Sequence, residues 1–96
     1  MSFLSVLTIS VRDGADLAGA FERLEIFEHS RRSGGFRRGQ LLRPLEPGGP
    51  YLVVAEWESA DAYQQWLDNP VRAELGAELE PLLDGDVVSG ELYEEV

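Results

Sequence analysis

Cysteine is missing from these 96 residues, every basic residue is an arginine, and histidine and methionine each occur once. Without cysteine there is no disulfide framework, no thiol nucleophile and no thiolate metal site. A single histidine has no second to complete a metal site with it, so no metal is expected. Long apolar runs are lacking too. Nothing approaches the roughly 20 residues that cross a bilayer. Residues 1–12 carry no basic segment leading into an apolar run and a cleavage site, so no secretory leader is expected and a cytoplasmic protein is. Glycine-rich phosphate loops, a Ser-His-Asp order and dinucleotide fingerprints are equally absent.

Positive charge is scarce. Eight arginines face 18 acids, for a net charge of −10. Such a chain repels phosphate backbones, which excludes nucleic acid and anionic membranes as expected partners. The imbalance lies in the second half, where Arg72 is the only base after residue 50. Arg31, Arg32, Arg37, Arg38 and Arg43 form a local basic patch, read either as solvated charge or as complementarity between subunits.

What is present is a large apolar share, 44% of the residues. No linker or repeat divides residues 1–96, so a single domain is expected. A domain this small buries only part of its surface, and oligomerisation is one use for surplus apolar residues. Turn clusters at 13–14, 33–35, 46–50, 69–70 and 84–86 cut the chain into six pieces. Residues 3–11 read as a central strand, apolar on both sides with Ser5 the exception in the odd row. Residues 14–31 read as one helix capped by Asp13, with Leu17, Phe21, Leu24 and Glu28 as its stripe, ended by Gly34 and Gly35. Strands are expected at 36–45, 51–58 and 87–95. Between the last two, Ser59 caps a helix that buries Tyr63, Trp66 and Leu67, and Pro70 opens another with Leu75, Leu79 and Leu82 inward. The order β-α-β-β-α-β is the split, ferredoxin-like α+β plan. Its antiparallel sheet carries helices on one face and leaves the other open. Leu4 and Val6 on that open face call for a homodimer, with Glu91, Glu94 and Glu95 expected to meet a partner's Arg37, Arg38 and Arg43.

Three stretches carry a family resemblance: Gly35-Phe36 leading to Gln40-Leu41-Leu42-Arg43-Pro44; Tyr51 to Ser59, containing Trp57-Glu58-Ser59; and Ala62-Tyr63-Gln64-Gln65-Trp66. In these, and in their spacing across residues 4–95, the chain resembles the antibiotic-biosynthesis monooxygenases. The resemblance implies a dimeric α+β barrel with a pocket between helices and sheet. It also implies an oxidoreductase menu of cofactor-free oxygenation of small aromatics, haem degradation, or no catalysis. The haem-degrading members use an asparagine on the first strand, a tryptophan on the aromatic helix and an iron-binding histidine on the next. Here those positions hold Leu7, Trp66 and Leu75 or Gly76. Leucine neither donates a hydrogen bond nor ligates iron, so haem degradation by that route is not expected.

The expected pocket lies where the helix stripes converge on the odd face of the first strand, lined by Leu7, Phe21, Tyr63, Leu75 and Leu79. Trp66 is the candidate catalytic residue at it, although a core tryptophan would show the same spacing. His29, the only side chain with an unperturbed pKa near neutrality, is the candidate base. Turning about 100° per residue from Leu17 places it well off the apolar stripe. The resulting expectation is a cofactor-independent monooxygenase acting on a polyketide- or quinol-like aromatic. The alternative is a non-catalytic dimer that binds a small ligand.

Overall fold

The computed structural model describes residues 2–85 and 88–96. Its elements run β1 (Phe3–Ile9), α1 (Leu17–Arg23), α2 (Ile26–Ser33), β2 (Phe36–Leu42), β3 (Tyr51–Trp57), α3 (Ala60–Asp68), α4 (Pro70–Leu79), a 3-10 turn at Glu80–Leu82, and β4 (Val88–Glu94). The strands make one antiparallel sheet in the order β2-β3-β1-β4. This is the expected ferredoxin-like α+β arrangement, and it puts the strand with two apolar faces in the centre. Asp86 and Val87, from the expected turn and last strand, lie outside the described residues.

The period-2 pleat sorts β1 and β3 into two surfaces. Toward the helices point Ser5, Leu7 and Ile9, beside Ala55, Val53 and Tyr51 in register. The core closes over this side around Ile9, Leu17 and Trp57, which are fully buried. On the other side Leu4, Val6 and Thr8 pair with Glu56, Val54 and Leu52, and no helix covers them. All six are only half-buried.

The single helix expected over 14–31 is two helices. Asp16, not Asp13, is the cap; its Oδ1 accepts the Gly19 N–H at 2.9 Å. The chain breaks after Leu24, where Glu25 takes a left-handed conformation with φ 51°. Helical geometry supplies the reason. Ile26 lies nine residues beyond Leu17, about half a turn round the axis, so a straight helix would hold Ile26 in water. Turning at Glu25 lets both residues join the core. Glu28, expected on the buried stripe, instead pairs outside with Arg31 at 2.6 Å and Arg32 at 3.8 Å.

Other boundaries follow from local chemistry. β2 stops at Leu42 instead of 45, just ahead of Pro44, which has no N–H for the ladder. β1 ends at Ile9, and Val11 contributes only an isolated bridge to Leu83. Ser59 caps α3 by accepting the Ala62 N–H, and Asn69 caps α4 with Pro70 in its first turn. Leu67 is only half-buried. The basic patch is partly engaged within the chain. Arg37 donates to Ser2 Oγ at 2.7 Å and sits 3.9 Å from Glu56, while Arg43 donates to Tyr51 at 3.3 Å. Of the three arginines expected to meet a partner's acids, two therefore have partners already. Among the described residues no helix is long and apolar enough to cross a membrane.

Gly35 fixes how closely α3 approaches the start of β2. Its φ is 72°, and a Cβ there would fall 2.4 Å from the Ala62 Cβ. Neighbouring Gly34 has φ 100° but nothing within 4 Å of its built Cβ. Both Gly→Ala changes should destabilise, Gly34→Ala through backbone strain alone and Gly35→Ala through strain plus overpacking of about 1–3 kcal/mol. Urea titration should therefore rank Gly35→Ala clearly below Gly34→Ala; equal losses would show that α3 does not sit this close.

Candidate functional site

The helices do not fill the space above the sheet. A cavity of about 180 Å³ remains between them and β1 and β3. Ser5, Leu7 and Ile9 from one strand and Val53, Ala55 and Trp57 from the other form its floor. Phe21 of α1 and Ile26, Phe27 and Ser30 of α2 close one side. Tyr63 and Trp66 of α3 with Arg72, Leu75, Gly76 and Leu79 of α4 close the other.

Six residues expected at a pocket thus meet on one lining: Leu7, Phe21, Tyr63, Trp66, Leu75 and Leu79. They meet because Tyr63, Trp66 and Leu67 span one turn of α3 while Leu75 and Leu79 are one turn apart on α4. His29 is not among them. It is half-buried on α2 and contributes nothing to the lining.

Ten lining residues escaped the reading of the sequence as site residues, and five of them are more than aliphatic or phenyl wall: Ser5, Ser30, Trp57, Arg72 and Gly76. Trp57 and Ser5 read as strand residues only, because strand pairing, not periodicity, sets Ser5 beside Ala55 and Phe3 beside Trp57. A signal existed at Ser5, the one polar residue in an apolar row. Its Oγ accepts the Trp57 Nε1–H at 3.0 Å, fully inside the protein. Ser30, brought inward by the break at Glu25, donates to the Ile26 carbonyl at 3.0 Å. Both hydroxyls therefore already have protein partners.

Arg72 and Gly76, the remaining two, lie one turn apart on α4 and both face the cavity. Each is unfavourable for the helix that bears it. A cation in the first turn opposes the helix dipole, at a cost of about 0.3–1 kcal/mol. Glycine in a helix interior costs about 0.8–1 kcal/mol relative to alanine. Nor does packing require it, since a Cβ at Gly76 would meet nothing within 4 Å.

Tyr63 supplies a hydroxyl with no hydrogen-bond partner among the described residues. Its ring packs 5.5 Å from that of Trp57. Burial pushes its phenol above the ordinary tyrosine value, and the charge of Arg72 partly offsets the rise. At neutral pH Tyr63 is thus a neutral donor. Among the described residues no cluster of three or more metal-ligating side chains occurs.

Comparison with known proteins places this geometry. Residues 3–76 match the sequence model of the family described as antibiotic biosynthesis monooxygenase. The chain belongs to that family. It is 39% identical over 74 residues to a heme oxygenase (mycobilin-producing) of Mycobacterium tuberculosis, covering 71% of this chain and 70% of that one. Protein SchA of Streptomyces halstedii is 32% identical over 82 residues, but this chain spans only 21% of its length. Among solved structures, SnoaB, a cofactor-independent oxygenase from Streptomyces nogalater, superposes with a TM-score of 0.76 at 26% identity, over 99% of this chain and 93% of that one.

The shifted phenol has a consequence for stability. A raised folded-state pKa means the folded chain holds the Tyr63 proton more tightly than the unfolded chain. That contribution is complete below the ordinary value of about 10 and is lost as pH rises through the folded value. Tyr63→Phe removes it. Urea unfolding at neutral pH and above pH ~10 should show a smaller alkaline loss of stability in Tyr63→Phe than in the wild type.

Proposed function

We propose that the cavity holds a small electron-rich aromatic, and that O₂ oxidises it there without a bound cofactor, the substrate supplying the electrons. The observation that carries this reading is a partly open, aromatic-walled cavity whose two serine hydroxyls are already paired, while the Tyr63 and Arg72 side chains have no partner among the described residues. Its size suits a small ligand. An engineered apolar cavity of about 150 Å³ admits benzene, so about 180 Å³ accommodates one ring, with a second reaching toward the opening.

The chemistry asks little of the protein. An anthrone-type methylene loses a C–H proton, or a quinol loses an O–H proton and carries the charge onto its ring carbon, and the resulting anion donates electrons to O₂. A C–O bond forms, the O–O bond breaks, and one oxygen leaves as water. For the methylene the balance is CH₂ + O₂ → C=O + H₂O. Trp66 presents an apolar wall against which the ring stacks, and Tyr63 O–H donates to the substrate oxygen. No described lining residue is a base, and the role expected for His29 has no place in this reading. The substrate therefore releases its proton to water at the opening or arrives already ionised. The likeness to a cofactor-independent oxygenase supports the reading. The heme oxygenase relative does not redirect it, because Leu7, Leu75 and Gly76 offer iron no ligand.

The same missing base favours a second reading, ligand binding without turnover. Oxygen uptake with a panel of dihydroxynaphthalenes and anthrones, run with a chelator present, separates the two. Oxygenation predicts uptake above the spontaneous rate for at least one compound and a fall in kcat/KM of about tenfold or more in Trp66→Phe. Saturable binding with no uptake across the panel leaves the non-catalytic reading.

The functional unit in this proposal is a homodimer built on the open sheet face, where Leu4, Val6, Leu52 and Val54 form an apolar centre beside exposed Leu42 and Tyr93. Apolar burial supplies most of the affinity, and exposed ion pairs add about 0–1 kcal/mol each. Sedimentation equilibrium should show a dimer that survives high salt. Leu4→Asp with Val6→Asp should dissociate it, and a folded wild-type monomer at tens of micromolar would count against this arrangement.

A further inference from the structure

We infer that Arg72 selects ligands bearing an anionic group, a carboxylate or an ionised phenol, and seats that group at the cavity opening beside Gly76. The inference rests on the reading of the cavity as a ligand site. Among the described lining residues, only Arg72 is charged. It is half-buried, yet among the described residues it has neither an ion pair nor a side-chain hydrogen bond. In a chain with 18 acids and eight arginines that is unusual company for a guanidinium. Arg31, Arg32 and Arg37 have carboxylates nearby, Arg12 donates to the Leu83 carbonyl, and Arg43 donates to Tyr51. Arg23 and Arg38 are exposed and solvated.

Its position on α4 sharpens the point. The helix dipole disfavours a cation in the first turn, and propensity disfavours glycine one turn later, yet the two occur together on the face toward the cavity. Gly76 is exposed, with open space where a Cβ would be. Both residues line the cavity, so the space beside Gly76 has a positive, forked donor next to it. A ring entering there buries its apolar body over Leu7 and Trp66 and leaves an acidic substituent facing Arg72. The guanidinium plane can hold that substituent through two parallel hydrogen bonds. The missing base then has an explanation, because a substrate that binds as an anion has already lost a proton.

Calorimetric titration with 2-naphthoate and its uncharged counterpart 2-naphthamide tests this. Neither probe reacts with O₂, so binding is read apart from turnover. The wild type should prefer naphthoate by about tenfold or more. Arg72→Gln should abolish that preference by weakening naphthoate alone, with the naphthamide affinity unchanged serving as the check on folding, and Arg72→Lys should restore part of it. Equal affinities in the wild type, a preference that survives in Arg72→Gln, equal weakening of both probes, or no binding of either would each overturn the inference. A protein that shows the preference but consumes no oxygen with the phenol panel would uphold it and reject the oxygenase reading.

Discussion

A buried indole N–H needs an acceptor, and in this fold it has one within reach. Trp57 Nε1 donates to Ser5 Oγ, 3.0 Å away on the neighbouring strand. Leaving that donor unsatisfied would cost about 1–3 kcal/mol. The bond ties the two central strands together on their helix-facing side and fixes the largest fully buried side chain. From Trp57 the packing spreads outward. Its ring meets Phe36 of β2 at 5.3 Å and Tyr63 of α3 at 5.5 Å, and Phe36 stacks with Phe27 of α2 at 6.0 Å. One polar contact on the floor thus anchors the aromatic contacts to α2 and α3, and the cavity is the space the helices leave.

The two sides of the sheet divide the work. Side chains facing the helices line the cavity, and those facing away leave Leu4, Val6, Leu52 and Val54 without a helix over them, the face on which the proposed dimer is built. The site departs from the local rules that the rest of the chain obeys, with a cation at the wrong end of α4 and a glycine within it. Such departures concentrate where function outweighs stability. An apolar chamber with a neutral phenol and one guanidinium performs little chemistry of its own. In the proposed reaction the substrate supplies the electrons, and its own acidity supplies the reactive anion.

Much of this was legible in the sequence, for physical reasons. Alternation in residues 3–9 and 51–57 fixed which side chains face the helices, and Ser59 and Asn69-Pro70 marked helix starts that the structure keeps. The helical spacing of Tyr63, Trp66, Leu75 and Leu79 pointed them at one another, and they share the cavity. The break at Glu25 was not legible. Its cause is Ile26, half a turn out of phase with Leu17, and an apolar residue out of phase is as easily read as an exposed one. Trp57 and Ser5 form a pair only once the register of β1 against β3 is known. Arg72 stood out as the one base of the second half, but its orientation toward a cavity required the packing of α3 on α4.

Everything proposed for the cavity requires the space above Ser5 and Trp57 to be a preformed site for an aromatic ring. Methyl NMR during titration with 2-naphthol tests it most directly. A ring in the cavity should give saturable shifts at Leu7, Ile9, Ile26, Val53, Leu75 and Leu79, with Leu4, Val6, Leu52 and Val54 on the opposite face of the same strands unmoved. Shifts confined to the open face, or none at the cavity methyls, would contradict it.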